Sequence, residues 1–184
     1  MPRRPRVQEP GIHHVTAQGV RRSALFRGGP DRAAWVELLP ELCDRYRWRC
    51  LSYCVMTTHY HLLVRTQLPN LAAGMQWLNG RWGQLFNHRH GEAGHVFRCR
   101  YWSVWLEREE HLIAASRYLP LNPVRAGACL EPLDWPWSSY AAIVGREPAP
   151  DWLDPAAVLS LFGEGGEARR RFAAFVDEGL SVAA

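Results

Sequence analysis

The residues best placed to do chemistry in this chain are His59-Tyr60-His61. On a β-strand, alternate side chains share a face, so two imidazoles two positions apart project together with Cα atoms about 7 Å apart and can hold one divalent ion between them. Tyr60 then points to the opposite face, which removes it as a nucleophile for that ion. In an arbitrary protein a His-x-His pair marks only a polar strand face. Here Leu62-Leu63-Val64 follow at once, as expected of a rigid central strand that can hold a metal site in place. The competing pair His88-Arg89-His90 falls at the end of a helical pattern. Residues two apart there diverge by about 200° around the axis and do not share an ion. His14-Val15-Thr16 has the His-x-Thr form used in duplicate by one class of phosphoesterases, but no second copy occurs on a comparable strand. His13 and His14 therefore read as sheet-face residues, with His14 a candidate for contact with nucleic acid. His95 and His111 have no partner at ligand spacing and read as surface or packing residues.

Elements able to position the pair follow from periodicity. Residues 12–18 are β-branched enough for a strand, and Asp31 can cap a helix running to about Tyr46, with Trp35, Leu38, Leu39 and Leu42 at helical spacing and Pro40 as a flaw. Residues 47–55 and 59–66 read as an antiparallel hairpin joined by Met56-Thr57-Thr58. Leu71, Met75, Leu78, Trp82, Leu85 and Phe86 mark an amphipathic helix ending before Gly91. A fourth strand over 101–106 precedes a helix starting near Glu107, whose acidic first turn suits the helix dipole. Strand, helix, strand, strand, helix, strand, helix is the order of an α+β, ferredoxin-like (split βαβ) fold, an antiparallel sheet with helices on one face. Trp77, Trp82, Trp102 and Trp105 sit at spacings that suit core packing. Residues 1–10 read as a flexible basic arm, 11–145 as the main domain, and 146–184 as a C-terminal helical tail with helices over 154–162 and 165–179.

Composition narrows the partner. A chain of 184 residues with 47% hydrophobic residues can bury one core. No apolar run is long enough to span a bilayer and none follows the N-terminal arginines as in a signal peptide, so a cytoplasmic location is expected. Five cysteines without a Cys-x-x-Cys pair suit reduced thiols. The net charge is only +4, yet all 22 basic residues are arginine. Guanidinium forks bind phosphate bidentately and stack on bases, although GC-rich coding also yields such a bias. Basic residues concentrate before residue 101 while acids gather at 107–110 and after 147, an uneven field that favours a polyanion.

One further block, Arg117-Tyr118-Leu119-Pro120-Leu121-Asn122-Pro123-Val124-Arg125-Ala126-Gly127, lies downstream. Together with His59 through Val64, the Asn87–Arg100 stretch containing Gly94-His95-Val96-Phe97-Arg98, and Trp135-Pro136-Trp137-Ser138-Ser139-Tyr140, it resembles the HUH single-tyrosine transposases of the IS200/IS605 type. Within these it is most similar to the REP-associated tyrosine transposases, over roughly residues 11 to 140. That resemblance implies His59 and His61 as metal ligands, Tyr118 as nucleophile and Asn122 as third protein ligand. Tyr118 and Asn122 are four apart and share a helix face, while Pro120 removes a donor and predicts a last, kinked turn beneath Tyr118. The implied reaction is transesterification on single-stranded DNA through a 5′-phosphotyrosine, at hairpin-forming repeats. Two imidazoles, an amide oxygen and waters suit Mg²⁺ or Mn²⁺ better than a closed zinc site.

Arg98, Arg100, Tyr101 and Arg125 join His14 as candidates for nucleic-acid contact, the arginines on phosphates and Tyr101 on a base. The partner implied is single-stranded or hairpin DNA, with the protein a monomer or homodimer. A competing expectation is a non-catalytic repressor or chaperone of structured DNA or RNA on the same scaffold.

Overall fold

The computed structural model describes residues 9–181; Arg3, Arg4 and Arg6 of the proposed basic arm lie outside the described residues. The sheet contains β1 (Gly11–Gln18), β2 (Trp48–Val55), β3 (His59–Thr66) and β4 (Trp102–Trp105) in the spatial order β2-β3-β1-β4, every pair antiparallel. This is the split βαβ order expected from the sequence. The β2–β3 hairpin closes through Met56, whose N–H donates to the His59 carbonyl at 2.9 Å.

Helices occupy both faces of the sheet, not one. On the first face, Val15, Ala17, Tyr60, Leu62 and Val64 pack with α1 (Gly29–Val36), α2 (Leu38–Tyr46) and α3 (Leu71–His90). On the second, Leu51, Cys54 and Leu63 pack with α4 (Glu109–Arg125), α5 (Tyr140–Ile143), α6 (Ala156–Leu159) and α7 (Gly165–Ser181). Leu62 and Leu63 explain why the second layer is needed: adjacent strand residues point to opposite faces and both are fully buried. The C-terminal tail is part of this second layer, with Phe172 and Val176 of α7 buried in the same cluster as Leu112 and Leu119 of α4.

Two prolines act differently. The expected single helix over 31–46 is interrupted at Glu37, because Pro40 has no N–H to return to Val36; in the first turn of a new helix that donor is not required. Asp31 does not cap the helix start as expected but lies within α1, accepting the Arg27 backbone N–H at 2.8 Å. By contrast, α4 runs on through Pro120 and Pro123 to Arg125, so the last turn expected at Tyr118 is not a terminus. The helix ends in a Schellman arrangement: the Gly127 N–H donates to the Val124 carbonyl and the Ala128 N–H to the Pro123 carbonyl, both at 2.9 Å. Gly127 takes the left-handed conformation this needs, with φ of +66°. Close packing fixes α3 against the sheet edge, where a Cβ on Gly74 would fall 2.3 Å from the Trp48 ring.

Candidate active site

The second face of the sheet carries the polar residues. Thr16 of β1 is directly paired with His61 of β3 on one side and with Trp102 of β4 on the other. Directly opposed residues share a face, so His61, Thr16 and Trp102 form a row across three strands. His14, two residues before Thr16, faces the same way, and Gln18 pairs with His59. Above this row lies α4, with Tyr118 and Asn122 one turn apart.

His59 and His61 point together as their spacing predicts, ring centroids 5.0 Å apart and nearly perpendicular. Tyr60 faces away, fully buried, and its hydroxyl donates to the Asn79 amide oxygen at 2.6 Å. The Tyr118 ring stands edge-on to His61 at 5.2 Å and 5.9 Å from His14. Tyr118 is 39% exposed, so its phenol is open to a substrate. Asn122 is buried and its side chain adjoins the His59 ring. The continuous helix through Pro120 therefore brings phenol and amide to the two imidazoles.

His61 Nδ1 lies 3.0 Å from both Thr16 Oγ1 and His14 Nε2. Its Nε2 is buried and has no hydrogen-bond partner among the described residues, as is also true of Asn122 Nδ2. A buried polar atom left unpaired costs about 1–3 kcal/mol, and beside an open cavity a bound ion or water is what would satisfy it. Burial lowers the pKa of all three imidazoles: His14 to about 4, His61 to about 2 with neighbouring His14 and His59 adding to the effect, and His59 also downward, with the adjoining Asn122 side chain working the other way. They are neutral at pH 7 and offer lone pairs.

These donors fit a hard divalent ion. Among the described residues there is no group of three His, Cys, Asp or Glu side chains at metal-binding spacing, and the Asn122 amide is the polar side chain that adjoins His59 from α4. A ligand bond from His61 Nε2 requires the proton on Nδ1, and Thr16 and His14 are the acceptors that would hold it there.

The remaining sequence candidates separate. Arg98 is exposed and lines the cavity beside Tyr118; Arg100 is exposed around the corner, in the groove along α3. Arg125 places its guanidinium carbon 5.9 Å from the Tyr118 ring centre. Tyr101 is a correction. It is 4% exposed and packed in the first-face core, so it has no ring face for a base. Trp102, assigned to packing by its spacing, is instead 59% exposed at the cavity edge. Strand alternation explains the exchange: moving one residue along β4 reverses the face. Thr16 lines the cavity although the His-x-Thr motif alone does not mark it as a site residue, and so does His111, whose spacing suggests a surface or packing role.

Paired imidazoles on a split βαβ sheet lie beneath a helix-borne tyrosine, the arrangement that the resemblance to the single-tyrosine transposases implies. The chain belongs to the IS200-like transposase family, whose sequence model matches residues 7–120 and so includes His59, His61 and Tyr118. Within that family the similarity runs to the REP-associated tyrosine transposases. A Haemophilus influenzae protein provisionally named as one is 28% identical over 127 residues, covering 61% of this chain and 70% of the relative. The solved structure of a REP-associated tyrosine transposase bound to a REP hairpin superimposes with a TM-score of 0.68 at 18% identity, covering 84% of this chain and 92% of that one. Among the described residues no helix is long and apolar enough to cross a membrane.

Proposed function

We propose that this protein is a metal-dependent single-stranded DNA endonuclease and strand transferase that cleaves and rejoins DNA at hairpin-forming repeats through a 5′-phosphotyrosine. The observation that carries this reading is the convergence of Tyr118, His59 and His61 at one open cavity, with His61 Nε2 buried and unpaired. The hairpin substrate is drawn from relatives of the same family, one of which was solved with such a hairpin bound.

In this reaction the Tyr118 oxygen attacks a backbone phosphorus. A P–O bond forms to the phenol, the bond to the 3′-oxygen breaks, the phenol proton passes to solvent and the departing oxygen leaves as a 3′-hydroxyl. The phosphodiester energy stays in the tyrosine ester, so resealing needs no nucleotide cofactor. Mg²⁺ or Mn²⁺ held by His59, His61 and Asn122 would polarise the phosphate and stabilise charge on the leaving oxygen. Arg125 and Arg98 bring positive charge to the path of the strand, and Thr16 and His14 fix the orientation of His61.

Incubation of the protein with Mn²⁺ and a panel of single-stranded hairpin DNAs, followed by a denaturing gel, tests the proposal. Wild type should yield a covalent protein–DNA adduct and Tyr118→Phe none. An adduct that persists in Tyr118→Phe would overturn the nucleophile. Binding without any adduct across the panel would favour a repressor or chaperone on this scaffold.

A further inference from the structure

The cavity beside Tyr118, of about 860 Å³, has a wall that phosphate chemistry does not explain. One side is formed by Trp102, Val104 and Leu106 and the other by Ala114 and Ala115 of α4, all apolar. A phosphodiester carries charge and gains nothing from such a wall; the flat apolar face of a base does. His111, Ala114, Ala115 and Tyr118 recur at three and four residues along α4, so the helix turns its smallest side chains toward β4 and leaves a slot in the stripe that leads to the nucleophile. Trp102 is held in place from behind: it pairs with Thr16 across the strands and meets His14 edge-on at 6.4 Å and 84°. A large ring kept oriented yet 59% exposed is a stacking platform without its partner. Arg98 at the mouth supplies the complement to a polyanionic backbone.

We infer that the slot between β4 and α4 receives one unpaired nucleobase, from the nucleotide adjoining the phosphate that Tyr118 attacks, stacked on Trp102. This rests on the nuclease reading above. A base in a duplex is stacked and paired on every side and cannot enter such a slot, so the slot itself selects single-stranded or extruded nucleotides at the cleavage point.

The test is a coupling measurement. In the Tyr118→Phe protein, which prevents cleavage, binding is measured to hairpin DNAs with a single-stranded flank in which each flank nucleotide in turn is made abasic. One position should weaken binding roughly ten-fold. In Trp102→Ala, and separately in Ala114→Leu, which fills the slot from an exposed helix position, removing that base should cost almost nothing more, while Trp102→Phe should keep much of the effect. A flat abasic scan, or losses from Trp102→Ala and the abasic site that simply multiply, would overturn the inference. So would a change in sedimentation mass on Trp102→Ala with no change in the coupling, which would assign the slot to a second copy of the chain. The adduct gel on the same DNAs keeps the two proposals apart. An adduct without coupling leaves the nuclease and removes the slot; coupling without an adduct does the reverse; no binding to any hairpin removes both.

Discussion

The two faces of β3 are built from one run of eight residues and do opposite work. Tyr60, Leu62 and Val64 are fully buried beneath α1–α3, and even the Tyr60 hydroxyl is satisfied by Asn79. On the reverse, His59 and His61 look into an open cavity, and the buried Nε2 of His61 goes unsatisfied. One face is closed over by helices, and the other opens on the cavity. Apolar burial beneath the helices supplies stability on the closed face, while the open face leaves its polar residues within reach of a substrate.

That contrast predicts that stability and activity separate by face. The largest effect is expected from Leu62→Ala, which should destabilise the protein by about 2–5 kcal/mol in chemical denaturation, with adduct formation per folded molecule unchanged. A parallel fall in specific activity would break the distinction. Next, Thr16→Ala should weaken Mn²⁺ binding about 10–100-fold, measured calorimetrically without DNA, while the unfolding free energy moves little; Thr16→Ser should restore binding. Equal affinity in Thr16→Ala would mean that His61 is oriented by His14 alone. The smallest effect is expected from Arg125→Ala. It should weaken binding similarly for all hairpin sequences and lower the slope of log K against log salt by about 1, leaving metal affinity and stability as they were. A sequence-dependent loss would show that Arg125 reads bases.

Much of this arrangement was legible in the sequence. Period-two alternation in 59–64 separates His59 and His61 from Tyr60, and the block around Tyr118 supplies the candidate nucleophile. What could not be read was anything set by pairing across strands. Thr16 enters the site because it lies opposite His61, 45 residues away in sequence, and no local pattern specifies that register. Trp102 and Tyr101 were exchanged because β4 is only four residues long, too short for alternation to show which face is covered. The second helical layer was hidden for a related reason: Leu62 and Leu63 announce two buried faces, but a hydrophobic pair does not say which helix covers each. Pro120 misled in the other direction. Local propensity argued for a terminus, whereas burial of Leu119, Leu121 and Asn122 between the sheet and α7 holds the helix together beyond it.

The pairing of β1 with β3 also constrains how this chain can change over time. Side chains alternate along β1, so shifting it by one residue would turn His14 and Thr16 into the core and bring His13, now buried on the other face, toward Tyr118. Single-residue insertions and deletions within 11–18 therefore remove fold and chemistry at one stroke. Length variation is left to the connections, and relatives should differ in length between the strands and hardly at all within them.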